Sequence, residues 1–122
     1  MAANPEPQHI QVAHILISFA GAGTEATRSK AEAEKLAGEV LARAKKGEEF
    51  PKLVKELSDD SGEGIYGMAN FKVAPGRGEY PRQGMVAAFG DVGFVLEVGA
   101  IGMSAFDPVK SPYGWHIIKR LK

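Results

Sequence analysis

Cysteine is absent from the 122-residue chain, which excludes disulfide staples, thiol catalysis and cysteine-ligated zinc or iron–sulfur centres together. Charge of either sign is not in excess: 15 basic residues balance 15 acidic ones, so no overall field draws the chain to nucleic acid or to an anionic membrane. No apolar run approaches the roughly 20 residues that span a bilayer, and Met1–Gln8 is short and polar, unlike a secretory leader. A cytoplasmic protein without nucleic-acid or membrane partners is the expectation. Neither G-x-x-x-x-G-K-[ST] nor G-x-S-x-G occurs, which removes the common phosphate cradle and the hydrolase nucleophile elbow. Histidine is scarce as well: His9, His14 and His116 form no H-x-x-x-H or H-E-x-x-H pair, so no metal site is expected.

What is present fits one soluble domain, with 44% apolar and 25% charged residues in ordinary globular proportion. A short flexible segment, 1–9, is expected to precede a single domain at 10–122. The run Ile-Gln-Val-Ala-His-Ile-Leu-Ile-Ser at 10–18 reads as a buried strand ended by Gly21 and Gly23. Ala33, Leu36, Ala37, Val40, Leu41 and Ala44 recur at the spacing of one helical face. Ser29 with Glu32 makes a capping box at its start, and Lys45, Lys46 and Gly47 mark its end. Phe50, Leu53, Val54 and Leu57 predict a second helix that carries Pro51 in its first turn and ends near Ser58. Tyr66–Val73 reads as a brief strand, Ala74–Gly84 as exposed loop, and Met85, Phe89 and Val92 as one side of a short helix. A strand between Met103 and Val109, the turn Ser111-Pro-Tyr-Gly, and a strand from Trp115 to Leu121 form a hairpin. Helices set among strands without regular alternation predict an α+β fold, its helices covering an antiparallel or mixed sheet.

Few residues stand out for chemistry. Gly21-Ala-Gly-Thr-Glu-Ala matches the loose G-x-G-x-x-G/A pattern, but a second helix follows where a dinucleotide unit needs a second parallel strand, so a surface loop is the better reading. Asp59–Asp60 could serve acid–base work or simply be solvated. His14 and His116 each sit inside an apolar strand flanked by isoleucine. Either one alone reads as a satisfied core histidine; two in strands that can pair raise the alternative of a shared polar network. Met68, Phe71, Met85 and Phe89 lie in Gly-rich sequence and form either a loose satellite core or an apolar pocket.

In order along the chain, Val-Ala-His-Ile-Leu-Ile at 12–17, Arg-Ser-Lys-Ala-Glu-Ala at 28–33, Gly-Glu-Glu-Phe at 47–50, Leu-Ser-Asp-Asp-Ser at 57–61, Tyr-Gly-Met-Ala-Asn-Phe at 66–71, Gly-Met at 84–85, Phe89 and Ser-Pro-Tyr-Gly-Trp-His-Ile-Ile at 111–118 make a set that resembles the parvulin-type peptidyl-prolyl isomerases. The resemblance runs from Ile10 to Lys122. It implies a four-stranded, mainly antiparallel sheet wrapped by about four helices, and catalysis of rotation about X-Pro bonds in polypeptide substrates, assisting folding, without a cofactor. By the same resemblance His14 and His116 correspond to the paired central histidines and Asp60 to the Asp-or-Cys position. Ser111 corresponds to a hydroxyl that bonds into the histidine network, Met68, Met85 and Phe89 to walls of a proline pocket, and Phe71 to its support. A monomer is expected. The segment between Phe71 and Met85 is longer than the family usually has. The Phe19–Thr27 loop has no Lys or Arg, where phosphate-directed relatives place cations, so no phospho-Ser or phospho-Thr requirement is expected. Two rivals remain: a chaperone module that binds polypeptide with little turnover, and an anion-binding protein using Lys72, Arg77 and Arg82.

Overall fold

The computed structural model describes residues 6–122. Elements follow in the order β1 (His9–Ile17), α1 (Lys30–Lys45), α2 (Phe50–Leu57), β2 (Ile65–Ala69), β3 (Glu79–Pro81), a 3₁₀ turn (Arg82–Gly84), α3 (Ala87–Gly93), β4 (Ile101–Ser104) and β5 (Trp115–Arg120). The strands form one sheet in the order β3-β2-β1-β5-β4. All neighbours are antiparallel except β2 and β3. The α+β class holds, with three α-helices and a fifth strand beyond the four expected. That strand lies inside the expected 74–84 loop: three residues pair in parallel with β2, Met68 opposite Tyr80, before Pro81 removes the next ladder donor.

β1 is the middle strand, and its near-continuous apolar sequence follows from burial on both faces. Alternation sends Ala13, Ile15 and Ile17 to one side, where they meet Ala33, Ala37 and Val40 of α1, Phe50 and Leu53 of α2, and Trp115 and Ile117 of β5. The small alanines of α1 let that helix approach the sheet closely, and both halves of the Ser29/Glu32 capping box are formed. On the other side Ile10, Val12, Met68 and Ile118 pack with Phe89 of α3 and Phe94. Of the expected flexible segment, residues 1–5 lie outside the described residues. Glu6 pairs with Arg82, and the Pro7 carbonyl accepts from the Asn70 side chain at 3.0 Å. Gly114 joins the β4–β5 connection to β5 at φ +140°, its backbone so close to Ile17 that an added Cβ would lie 2.2 Å from the Ile17 carbonyl oxygen.

Candidate active site

The same alternation that buries Ile15 and Ile117 under the helices turns His14 of β1, Tyr66 and Met68 of β2, and His116 and Ile118 of β5 to the α3 side of the sheet. His14 pairs with Ile118, and His116 with Leu16, so the two histidines are diagonal neighbours, within reach of one another despite a separation of 102 positions along the chain. Their Nδ1 atoms are 3.4 Å apart and their rings are inclined by 28°. Phe89 stands edge-on to His14 at 4.7 Å between centroids and lies 5.0 Å from His116.

The loop after α2 brings Asp60 to this pair. Backbone N–H of Leu16 donates to Ser58 Oγ at 3.1 Å, that of Asp59 to the Leu16 carbonyl at 2.8 Å, and that of Ser18 to Asp59 Oδ2 at 2.8 Å. Arg28 pairs with the same Asp59 carboxylate and donates to the Ser18 carbonyl at 2.9 Å. Asp59 is thereby committed to holding the loop on the end of β1, and Asp60 projects toward the histidines. Its Oδ2 lies 3.2 Å from His14 Nε2 and accepts from the Tyr66 hydroxyl at 3.2 Å.

Burial is the main influence on both imidazoles, because it penalises the charged form. It pushes His116 down to about 4, with the neighbouring His14 acting in the same direction. His14 is lowered too, by burial that outweighs the pull of Asp60. Both rings are therefore neutral at pH 7, and the hydrogen-bond network assigns their tautomers. His14 Nε2–H donates to Asp60, which leaves His14 Nδ1 to accept from His116 Nδ1–H. His116 Nε2 is then a buried lone pair without a partner among the described residues. Tyr66 is raised by its own burial and by Asp60.

Above this floor lies a cavity of about 460 Å³, within the size range of small-molecule and side-chain sites. Of the residues predicted from sequence, His14, Asp60, His116, Met85 and Phe89 line it together. Met68 does not: it is fully buried in the cluster with Phe89 and supports the floor from below. Phe71 is also corrected, since the residue is 54% exposed and its ring covers the Arg82 guanidinium at 4.4 Å, outside the cavity. Ser111 is buried, but its hydroxyl donates to the Ala105 carbonyl and closes the β4–β5 connection, so it makes no bond to a histidine. The hydroxyl residue directly across the sheet from His116 is Ser104, whose Oγ is likewise buried and has no partner among the described residues. Sequence reasoning missed Tyr66, Tyr80 and Tyr113, which form much of the wall. Only Tyr66 carried a signal, its position two residues before Met68 in an alternating strand. Arg82, considered as an anion ligand, is buried between the rings of Phe71 and Phe94 and engaged by Glu6 and Asp91. Among the described residues no group of three or more His, Asp or Glu side chains is placed to hold a metal ion.

This fold is shared with the solution structure of TbPIN1 (TM-score 0.70, 22% identity, 94% of this chain and 98% of that one). It is shared also with PrsA from Bacillus subtilis (TM-score 0.60, 31% identity, 94% of this chain and 35% of that one). The class is thus a parvulin-like α+β domain with a histidine-floored pocket. The model of the PPIC-type PPIase domain matches residues 1–122, and the chain belongs to that family. Among curated relatives, foldase protein PrsA of Geobacillus kaustophilus is 42% identical over 86 residues, 70% of this chain and 27% of the relative. Chaperone SurA of Chromohalobacter salexigens is 36% identical over 109 residues, 89% of this chain and 21% of the relative. The chain spans about a quarter of the length of these relatives.

Proposed function

We propose that this chain catalyses cis/trans isomerisation of X-Pro bonds in polypeptides, with the proline ring held against Met85 and Phe89 and the amide rotating over the His14–His116–Asp60 chain. The observation that carries this reading is the pairing of an apolar cavity with a floor of two neutral, hydrogen-bonded imidazoles. The peptide C–N bond resists rotation by about 18–20 kcal/mol, and uncatalysed X-Pro exchange takes roughly 10–100 s. No bond need break. Only interactions stronger in the twisted amide than in the planar one raise turnover, and about 4–7 kcal/mol of them gives roughly 10³–10⁵-fold. The cavity supplies the conditions: an apolar wall removes water from the ring, and Asp60 fixes the direction of the histidine hydrogen bonds facing the rotating carbonyl. Neutral imidazoles suit this role because an imidazolium would favour the planar, more polar carbonyl. Asp60 acts through polarity and orientation and forms no covalent bond.

No phospho-Ser or phospho-Thr is required in this reading. The cavity is lined by Asp59 and Asp60 and by no Lys or Arg, a setting that repels a phosphate. A panel of prolyl peptides followed by exchange NMR tests both statements. Acceleration of Ala-Pro and Leu-Pro exchange is expected, with phospho-Ser-Pro slower than its unmodified twin; no acceleration of any peptide overturns the first, and a faster phosphopeptide the second. The foldase and chaperone names of the relatives support a second reading, a groove that holds polypeptide with little turnover. Suppression of aggregation by a protein that leaves exchange rates unchanged would select it.

A further inference from the structure

We propose that the cavity selects a lysine or arginine immediately before the proline, held by the Asp60 carboxylate and the tyrosines beside it. The inference rests on the isomerase reading and names its substrate class. Two carboxylates line the cavity, but they are not equivalent. Asp59 is neutralised by Arg28, whereas the partners of Asp60 are a buried histidine nitrogen and a phenol, neither of which brings a positive charge. Asp60 keeps 38% of its side chain exposed, so its charge is both uncompensated and reachable. Of the charged groups around it, one basic and one acidic, Lys55 and Glu63, line a neighbouring cavity that Asp60 also borders, and neither forms an ion pair with it among the described residues. Arg82 is occupied by Glu6 and Asp91.

The second observation is independent of charge. Tyr66, Tyr80 and Tyr113 line the same cavity, with Tyr66 and Tyr80 edge-to-face at 6.0 Å and Tyr80 and Tyr113 about half exposed. Aromatic faces beside a carboxylate attract ammonium and guanidinium groups, and leave an acidic side chain without a partner. Position follows from the floor. Asp60 is 3.2 Å from His14, whose ring centroid is 4.7 Å from that of Phe89. A proline against Phe89 therefore brings an adjoining residue, at about 3.3 Å of extended chain, within reach of the carboxylate, and the residue before the ring is the one whose amide the proposed reaction rotates over the histidines.

The test is a peptide series identical except before proline, with lysine, norleucine or glutamate there, measured as kcat/KM at low salt and in 1 M NaCl. Lysine should exceed norleucine by about 3- to 10-fold, the size of an exposed ion pair with one cation–π contact. Glutamate should fall below norleucine by a similar factor, and high salt should shrink both ratios. Asp60→Asn should bring the lysine-to-norleucine ratio close to one, whatever it does to the norleucine rate itself. Equal rates for lysine and norleucine, a preference untouched by salt, or one that survives Asp60→Asn overturns the inference while leaving isomerase activity standing. If no peptide in the series is turned over, the isomerase reading fails instead, and fluorescence anisotropy of the same labelled peptides decides the charge preference.

Discussion

Lowering the pH from 7 to 5 should destabilise this protein by about 2 kcal/mol through His116 alone. An unfolded His116 takes up a proton near 6.5, while in the fold burial holds it back to about 4. Between those values the unfolded state binds more protons than the native one, so stability is complete above about 6.5 and falls as pH drops toward 4. The slope is roughly 1.4 kcal/mol per pH unit once the unfolded histidine is protonated, which gives about 2 kcal/mol by pH 5. His14 is lowered in the same direction and adds to the loss, and repulsion between two imidazoliums 3.4 Å apart deepens it, because it keeps protons off the native state alone. Glu6, Glu32, Glu48, Glu79 and Asp107 are also lowered by their partners, but carboxylates lose their contribution only as pH falls through about 4.5 and below. Urea unfolding at pH 7, 6 and 5 therefore isolates the histidines, and His116→Gln, which cannot titrate, should lose less than half as much as the parent. A loss below about 0.5 kcal/mol in the parent, or equal losses in both proteins, refutes the assignment of two buried neutral imidazoles.

Other substitutions separate the parts of the site. Asp60→Ala should lower turnover with little effect on peptide affinity, whereas Phe89→Ala should weaken binding as well, checked by kcat and KM on one prolyl peptide; negligible effects from both would remove these residues from the site. Ser104→Ala deletes a buried hydroxyl that has no partner among the described residues, so urea unfolding should show no loss or a gain of up to about 1 kcal/mol, and a loss beyond about 1 kcal/mol would mean that the hydroxyl bonds to His116 across the ladder. Gly114→Ala places a methyl 2.2 Å from a backbone oxygen at φ +140°. Because backbone rather than a flexible side chain must move, it should cost more than about 3 kcal/mol and abolish the cooperative melt or lower its midpoint sharply; a melt like the parent's refutes the close approach.

The legible parts of the structure were those set by local period. α1 runs Lys30–Lys45 with its capping box in place, and α2 runs Phe50–Leu57 with Pro51 at its start, because propensity, cap and apolar spacing agree there. A shared network of His14 and His116 was open from the sequence because their two strands could pair, and β1 and β5 do pair. β3 was not visible: three residues in Gly- and Pro-rich sequence carry no period, and only pairing of Gly67–Ala69 with Glu79–Pro81 makes them a strand. Ser111 was misplaced for a similar reason. Its role came from the family resemblance, but the tight turn around Ser111–Gly114 directs its hydroxyl to Ala105, while strand register, which no local pattern encodes, puts Ser104 opposite His116. The resemblance makes Phe71 a support of the pocket, yet what its ring meets is a cation at 4.4 Å.

The floor and the wall of the cavity are built by different means, a division that would let the proposed isomerase keep its reaction while its substrate changes. His14 and His116 belong to the middle strand and its inner neighbour, locked by six paired positions and sealed from behind by the helices; moving either would unpack the larger core. Most of the wall comes from irregular chain. Tyr80 arrives through the short parallel strand, Met85 follows the 3₁₀ turn, and Tyr113 sits in the connection before β5. These segments are held by point contacts: Arg82 bonds Glu6 and Asn70 at 2.7 and 2.9 Å and leaves so little space beside α3 that a Cβ on Gly90 would lie 2.3 Å from its Nε. Rotating an amide needs the floor to be rigid, since its advantage lies in hydrogen bonds already oriented when resonance is lost. Recognition of the flanking residue needs only that the wall present the right groups, and a wall on pinned loops can be altered one residue at a time without disturbing the sheet beneath.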